Sequence, residues 1–182
     1  DVDTLAAAMA RSAQRTSVPV ALHLDHGHTY EGVMKAVRWG FTSVMFDGSS
    51  MSLADNLKKT KEITRIAHSL GISVEGELGY IGHCDDATGI TSPELVSAEV
   101  AADFVMKTKI DALAVAVGTN HGVVKGMGGL NILRLSELSR IVDVPLVLQG
   151  GAKLSREDCR LVIDNGISKI NIATDMSMSA AE

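Results

Sequence analysis

Histidines and carboxylates cluster in one short stretch near the amino end of this chain. Residues 23–28 read His23-Leu24-Asp25-His26-Gly27-His28, which places three imidazoles and one carboxylate within six residues. Burying so many polar groups without partners would be costly, so we interpret Asp25 and His26 as functional rather than core residues. Imidazole nitrogen and carboxylate oxygen are common zinc ligands in proteins. The stretch therefore predicts a metal site.

A second histidine with the same character lies far along the chain. His121 stands in Gly118-Thr119-Asn120-His121-Gly122, where the glycines allow a close approach of the backbone to a ligand. Two imidazoles from different strands, with carboxylates nearby, suit a divalent cation such as zinc that keeps one coordination position open for substrate. Further polar candidates near strand ends are Asp47, Glu75, Glu77, Gln149, Asn171 and Asp175.

Several of these residues also have an ordinary structural interpretation. A single Asp after a strand, such as Asp47 or Asp175, is commonly a turn former or a helix cap. Glu75 and Glu77 are two residues apart on one strand face, so both could point to a ligand or both could pair with cations inside the protein. The cluster is therefore a stronger signal than any of its single members.

A glycine-rich set of residues is typical of an anion site. Backbone N–H groups freed by glycine at helix starts bind phosphate, and barrels often hold phosphate in the loops after their last two strands. The sequence thus predicts a phosphorylated substrate, although glycines also serve as loop hinges. The candidates are Gly122, Lys125, Gly150, Gly151, Asn171 and Thr174.

The positions of these residues depend on an alternation of strand-like and helix-like segments. Short apolar runs predict strands at 18–24, 43–46, 73–77, 112–117, 145–148 and 169–172. Helical periodicity predicts helices at 4–16, 30–39, 52–70, 93–109, 132–141 and 155–165. In parallel α/β folds, ligands bind at the carboxyl ends of the strands, so we expect the polar residues there to converge.

The spacing of the predicted strands matches βαβ units of about 30 residues. A (β/α)8 TIM barrel needs about 250 residues, so the 182 residues would form about six of its eight βα units as one partial domain, residues 1–182. We expect about the first two units and the last helix to belong to a longer chain. The pattern alone also permits an open doubly wound sheet.

Composition excludes several classes of protein. The chain is 46% apolar, has a net charge of -5 and carries no clustered Lys and Arg with interleaved aromatic residues, so a nucleic-acid partner is disfavoured. The longest apolar runs, such as 112–117, are far too short to cross a membrane. No GxGxxG or GxxxxGK follows a strand, which disfavours a nucleotide-binding sheet. Cys84 and Cys159 lack metal-finger spacing and predict free thiols in a cytoplasmic protein.

Five motifs cover nearly the whole chain in order, at residues 21–28, 40–49, 74–79, 118–122 and 171–175. Together they resemble the class II ketose-bisphosphate aldolases. The Asn-Ile-Ala-Thr run is closer to the tagatose-bisphosphate branch than to the fructose-bisphosphate branch.

The resemblance implies a TIM barrel, usually dimeric, that reversibly cleaves a ketose bisphosphate of the tagatose or fructose type to dihydroxyacetone phosphate and an aldehyde. It implies that His26 and His121 ligate a catalytic zinc or another divalent metal, and a monovalent cation is a further candidate. It also implies that Asp25 exchanges a proton with the aldehyde-derived oxygen.

Other roles follow from the same resemblance. Asn171 would help to hold the enediolate, and Glu77 and Asp47 would belong to the region of a secondary metal or would support the ligands. A mobile loop, here residues 78–90, carries the acid that moves the carbon-bound proton, and Asp85 or Asp86 is the candidate.

The chain departs from the family pattern at one run. The family's third zinc-ligating histidine is replaced in Gln149-Gly150-Gly151-Ala152-Lys153, and the phosphate-binding serine of that run is replaced by Ala152. An amide oxygen is a weaker zinc ligand than an imidazole nitrogen. Gln149 could ligate through its carbonyl, or His23, His28 or His83 could take the place of the lost histidine. Lys153 could bind phosphate as a point charge.

Two hypotheses follow from these observations. The first is a metal-dependent aldolase that acts on a phosphorylated ketose. The second is a non-catalytic sugar-phosphate-binding homologue, which the replacements at Gln149 and Ala152 suggest.

Overall fold

The computed structural model describes residues 2–79, 96–117, 130–151 and 154–181. Six strands alternate with helices in this part of the chain: β1 (His23–Gly27), β2 (Ser43–Phe46), β3 (Ser73–Leu78), β4 (Ala112–Val115), β5 (Leu146–Leu148) and β6 (Ile167–Ile170). The helices are α1 (Val2–Ala13), α2 (Tyr30–Arg38), α3 (Leu53–Ser69), α4 (Ala98–Thr108), α5 (Ile132–Ile141), α6 (Arg156–Asp164) and α7 (Thr174–Ala181). No helix among these combines the length and the apolar composition that crossing a bilayer requires.

The first of two compact units contains Asp1–Glu77 and Lys107–Asp111. Its strands pair in parallel in chain order, with Leu24 opposite Val44 and Val44 opposite Val74. Helices α2 and α3 pack their buried positions, among them Val33 and Ile63, against neighbouring elements of this unit. Such burial of one apolar face against a sheet is what stabilises a βα unit.

The second unit contains Leu78–Met106 and Ala112–Glu182. Strand β5 pairs in parallel with β4 through Leu146 and Leu113, and with β6 through Val147 and Lys169. Helix α6 begins with a capping box between Ser155 and Asp158, which satisfies N–H groups at the helix start.

The predicted α/β class with six βα units is confirmed. In neither unit does the strand order reverse, as it would at the switch point of a doubly wound sheet. Helix α7 begins at Thr174, close to Asp175, after which a helix was expected to begin. The single-domain organisation of residues 1–182 stays a prediction.

The first strand differs from its predicted position. The sequence favoured residues 18–24, but Val18 and Val20 are more than half exposed and strand pairing begins at His23. The prediction that Asp25 and His26 follow the strand is therefore wrong, because both lie within β1. Val18 and Val20, the apolar residues before them, have side chains typical of strands but lack the burial that favours strand pairing.

Strand β1 contains a bulge at the two candidate residues. Leu24 pairs with Val44 and Gly27 with Phe46, so two residues of β1, Asp25 and His26, stand opposite one residue of β2. His26 has a φ of 52°, in the left-handed region that is uncommon for a residue other than glycine. Bulges change the direction of side chains and occur often beside active sites.

Gly27 closes the bulge in a space that admits no side chain. A Cβ at this position would lie 2.7 Å from both the Met45 carbonyl oxygen and the Val33 Cγ2. We expect Gly27→Ala to lower the free energy of unfolding by about 1–3 kcal/mol, because overpacking a tight interior forces its neighbours to move. Urea denaturation monitored by circular dichroism measures this loss.

Gly32→Ala is the matched control for this experiment. It adds the same methyl group within α2, where the nearest neighbour outside the helix backbone is the Thr29 side chain at 3.1 Å. Alanine is the better helix former by about 1 kcal/mol, so the control is expected to be neutral or stabilising. Equal destabilisation by the two substitutions would contradict the packing interpretation of Gly27.

Candidate metal centre

Side chains from three neighbouring strands of the first unit meet around His26. The His26 Nδ1 atom lies 2.9 Å from Oδ2 of Asp47, the residue after β2, and 3.8 Å from Oε2 of Glu77 on β3. Asp47 and Glu77 are buried, with 7% and 1% of their surfaces exposed. The structure thus brings together three of the residues predicted to form the metal site.

Asp47 acts both as a turn residue and as a partner of His26. Its Oδ1 accepts hydrogen bonds from the backbone N–H of Ser49 at 3.0 Å and from the Ser49 hydroxyl at 2.6 Å. Its Oδ2 faces His26. The local turn therefore holds the carboxylate in place and leaves its second oxygen directed at the imidazole, so the two interpretations of Asp47 are compatible.

These neighbours change the pKa values of His26 and Asp47. Burial lowers the pKa of His26, but the hydrogen bond to Asp47 and the charges of Glu77, Asp25 and Asp47 outweigh it and raise this pKa to about 9. Burial raises the pKa of Asp47, but hydrogen bonds from His26 and Ser49 outweigh it and lower this pKa to about 2. At neutral pH, His26 and Asp47 form an ion pair in the metal-free protein.

Glu77 is the least ionised of the three groups. Burial, and then the charge of Asp47, raise its pKa to about 8, although His26 and Ser49 act in the opposite direction. Its Oε2 makes no hydrogen bond within the described residues. A buried carboxyl group of this kind retains its proton at neutral pH, and a nearby cation would favour its ionised form.

The pH dependence of stability follows from these three groups. The raised pKa of His26 stabilises the fold below its ordinary value of 6.5, and this contribution is lost as pH rises to about 9. The raised pKa of Glu77 gives a contribution to stability that is fully present below pH 4.5 and is lost as pH rises to about 8. The lowered pKa of Asp47 gives one that is present above 3.8 and lost as pH falls to about 2.

We therefore expect the free energy of unfolding of the metal-free protein to fall as pH rises from about 6.5 to about 9. Urea titrations across this range at constant ionic strength measure the change. Asp47→Asn removes a cause of the raised pKa in both His26 and Glu77, so it should flatten the slope. An identical slope in this variant would contradict the assignment.

A second histidine–glutamate pair lies on the same two strands, β1 and β3, nearer their amino ends. His23 Nδ1 lies 2.8 Å from the Ser43 hydroxyl, and His23 Nε2 lies 3.7 Å from Glu75 Oε2. Glu75 and Glu77 are both buried on β3, where a spacing of two residues places them on one strand face. Each therefore faces a histidine of β1.

His28 extends the group around His26. Its ring stacks on that of His26 with 5.9 Å between centroids, and its Nδ1 lies 3.4 Å from Asp47 Oδ2. One ligand atom each from His26, His28 and Asp47 lie within 4.8 Å of one another. Two imidazoles and a carboxylate match the donor atoms that zinc and related divalent cations take in proteins, so the residues present fit a metal.

Helix α3 supports the site through hydrogen bonds of its buried polar side chains. The buried Asn56 donates from Nδ2 to the Glu77 carbonyl oxygen at 3.0 Å and accepts from the Thr60 hydroxyl at 2.9 Å. A Cβ at Gly48, in the Asp47 turn, would overlap the Asn56 side chain. Asn56, Thr60 and Ser49 were not among the sequence candidates. Two sequence signals could have identified them. Asn56 and Thr60 are polar residues four apart on an otherwise apolar helix face, and Ser49 ends an Asp-Gly-Ser turn after a strand.

The second unit groups another set of predicted residues at its strand ends. Gln149 directly follows β5 and is fully buried, and Asn171 directly follows β6. The Asn171 N–H donates to the Leu148 carbonyl oxygen at 2.9 Å. The Gly151 N–H donates to the Asn171 carbonyl oxygen at 3.1 Å, so these two segments are joined through their backbones.

The glycines of this unit have different roles. Gly150 has a φ of 71°, a conformation that glycine adopts readily. A Cβ at Gly151 would overlap the Ile170 side chain, so this position is required for packing, and its N–H is engaged by Asn171 rather than directed at an anion. Thr174 begins α7.

The remaining predicted site residues lie outside the described residues. They are Asp85, Asp86, His121, Gly122, Lys125 and Lys153. Asp25 is described and is exposed on β1 beside His26.

Comparison with known proteins supports the family resemblance. The chain is 39% identical over 168 residues to the sulfofructosephosphate aldolase of Alkalicoccus urumqiensis, covering 91% of this chain and 58% of that protein. It is 37% identical over 192 aligned positions to the fructose-bisphosphate aldolase of Thermus caldophilus, covering 92% of this chain and 63% of that protein. The chain thus spans about 60% of the length of these relatives.

A solved structure confirms the fold. The crystal structure of the YdjI aldolase from Escherichia coli K12 superposes with a TM-score of 0.87 at 36% identity, covering 98% of this chain and 63% of that one. The described chain therefore has the fold of a partial TIM barrel. The family model for class-II fructose-bisphosphate aldolase matches residues 1–182. The strand-end histidine and carboxylates thus stand in a chain that belongs to the class-II fructose-bisphosphate aldolase family.

Proposed function

We propose that this chain is part of a metal-dependent aldolase that reversibly cleaves a phosphorylated ketose to dihydroxyacetone phosphate and an aldehyde. The observation that carries this proposal is the convergence of His26, Asp47 and Glu77 at the carboxyl ends of neighbouring strands. Active sites of TIM barrels lie at this edge. Family membership supports the reaction type.

The proposed metal is zinc, because imidazole and carboxylate donors suit it. His26 and Asp47 would hold the cation with Glu77 beside them, and the family resemblance adds His121 and Gln149. When bound, such a cation supplies Lewis-acid chemistry that polarises the ketone oxygen and stabilises the charge left when the C–C bond breaks. A monovalent cation is a further candidate from the same resemblance.

The proton transfers are assigned to residues of this chain. Asp25, exposed beside His26, would accept the hydroxyl proton of the ketose as the aldehyde forms and would return it in the reverse direction. The Asn171 amide would donate a hydrogen bond to an enediolate oxygen. Asp85 or Asp86 would move the carbon-bound proton.

Phosphate binding is assigned to the second unit and the residues predicted with it. Thr174 at the start of α7 and the backbone at Gly150 are the described candidates, since helix starts and glycine turns present N–H groups to anions. Gly122, Lys125 and Lys153 complete the predicted set. The Gly151 N–H already donates to the Asn171 carbonyl oxygen, so Gly151 would support phosphate binding only by holding its neighbours in position.

The substrate is proposed to be a ketose bisphosphate of the fructose or tagatose type. The relatives' names, sulfofructosephosphate aldolase and fructose-bisphosphate aldolase, both describe cleavage of a phosphorylated ketose. We further propose a cytoplasmic homodimer or higher homo-oligomer that acts in carbohydrate metabolism such as glycolysis, with no nucleic-acid or membrane partner.

The test is release of triose phosphate from fructose and tagatose bisphosphates, measured together with the metal content of the purified protein. We expect product release that depends on the bound metal. The alternative is a protein that binds either bisphosphate but releases no triose phosphate, whether or not metal is added. If Gln149→His also fails to release product, these results would establish the non-catalytic homologue. Full activity in verified metal-free protein would exclude the proposed mechanism.

A further inference from the structure

The candidate metal centre contains a histidine to which the family motifs assign no role. His28 follows β1 directly and is 63% exposed at its side chain, yet its Nδ1 lies 3.4 Å from Asp47 Oδ2. The Nδ1 of His26 lies 2.9 Å from the same oxygen. Two imidazole nitrogens therefore approach one carboxylate oxygen from neighbouring positions.

These separations suit a shared cation. Ligand atoms at about 2.0–2.2 Å from a tetrahedral zinc lie about 3.3–3.6 Å apart. The His28–Asp47 separation of 3.4 Å lies in that range, and the His26–Asp47 separation of 2.9 Å is somewhat shorter. All three ligand atoms lie within 4.8 Å of one another, so the side chains can share a cation after they adjust.

The other described histidines are engaged elsewhere. His23 faces the Ser43 hydroxyl at 2.8 Å and Glu75 at 3.7 Å. His68 lies 2.8 Å from Asp111 Oδ2, and that oxygen also accepts the Val74 N–H at 2.7 Å. Among the histidines that could replace the imidazole lost at position 149, the described geometry thus favours His28 over His23.

We propose that His28 is a metal ligand and that, with His26 and Asp47, it holds a divalent cation of the zinc class at the carboxyl ends of β1 and β2. All three ligands come from one short segment, residues 26–47, in the first unit. Binding therefore does not require an imidazole at position 149. The role of this cation in turnover rests on the proposed function, whereas the binding claim depends only on the three side chains.

Cobalt(II) is the probe for the test, because its visible absorption reports coordination independently of activity. We expect His28→Ala to weaken Co²⁺ binding at least about 10-fold and to change the intensity of the visible bands, as loss of a direct ligand should exceed the loss of a supporting residue. His68→Ala is the matched control, a histidine–aspartate pair of the same unit outside the site, and should bind Co²⁺ as the unchanged protein does.

A second variant makes the test specific for coordination. His28→Cys places a thiolate at the same position, and a ligand there produces a thiolate-to-cobalt charge-transfer band in the near ultraviolet. The exposed side chain makes this substitution compatible with folding, which circular dichroism checks.

The outcomes separate this inference from the proposed function. Unchanged Co²⁺ affinity in His28→Ala, or absence of the charge-transfer band in folded His28→Cys, overturns the inference and leaves metal-dependent cleavage intact. Co²⁺ binding that depends on His28 in a protein with no cleavage activity supports the inference and refutes the proposed function.

Discussion

Replacing His26 with alanine is expected to weaken divalent-metal binding by more than about 100-fold and to reduce ketose-bisphosphate cleavage to background. Loss of a residue that only supports a ligand costs about 10–100-fold. His26 lies at the centre of the site, within 3.8 Å of both Asp47 and Glu77, so its removal eliminates the imidazole that contacts both carboxyl groups. Competition titration against a zinc-binding dye measures the affinity, and triose-phosphate release measures turnover.

Asp47→Asn provides a graded comparison. It keeps the size of the side chain but removes the charge that faces His26 and His28. An amide oxygen remains in place as a weaker ligand, so we expect a loss in metal affinity of about 10–100-fold, the size seen when a supporting residue is lost, with the fold retained. Chelation of the unchanged protein should reproduce the activity loss of His26→Ala, and added zinc should reverse it only in the unchanged protein. Metal affinity preserved in folded His26→Ala would show that the cation binds elsewhere.

Replacing Asp25 with asparagine is expected to lower kcat by about 10²–10⁴-fold while metal affinity stays within a few-fold of the unchanged protein. A positioned acid–base residue typically contributes a rate factor of this size. Asparagine has nearly the same shape as aspartate but cannot accept the proton. Steady-state kinetics gives kcat, and the zinc competition titration gives the affinity in the same preparations.

The control for Asp25→Asn is Glu31→Gln, which removes an exposed carboxylate in the first turn of α2. It should leave kcat unchanged. Asp25→Asn should in addition lower the pKa of His26, because the Asp25 charge contributes to raising it. A large fall in metal affinity with little change in kcat at saturating metal would assign Asp25 to metal binding rather than proton transfer.

The strand and helix pattern was largely readable from the sequence because local composition reflects burial on each element. Strand β2 and helix α5 lie at the predicted residues, and the glycines that follow α2, α3 and α6, namely Gly40, Gly71 and Gly166, all have positive φ. The first strand was misplaced because Val18 and Val20 have strand-forming side chains without buried surroundings. Local composition does not report which surface a side chain meets.

The sequence by itself identified the residue types at the strand ends and the family to which they belong. His26, Asp47 and Glu77 were recognisable as candidates, because polar residues at the carboxyl ends of parallel strands share one edge of a sheet. Their pairing was not, since it depends on register between segments about 20–30 residues apart.

Tertiary structure alone decided how those candidates meet. The bulge at Asp25 and His26 and the left-handed backbone of His26 become visible only when β1 is aligned with β2. The approach of His28 to Asp47, and the burial that keeps a proton on Glu77, likewise depend on neighbours distant in sequence. Distances and local dielectric are properties of the packed neighbours, which a residue's own sequence context does not determine.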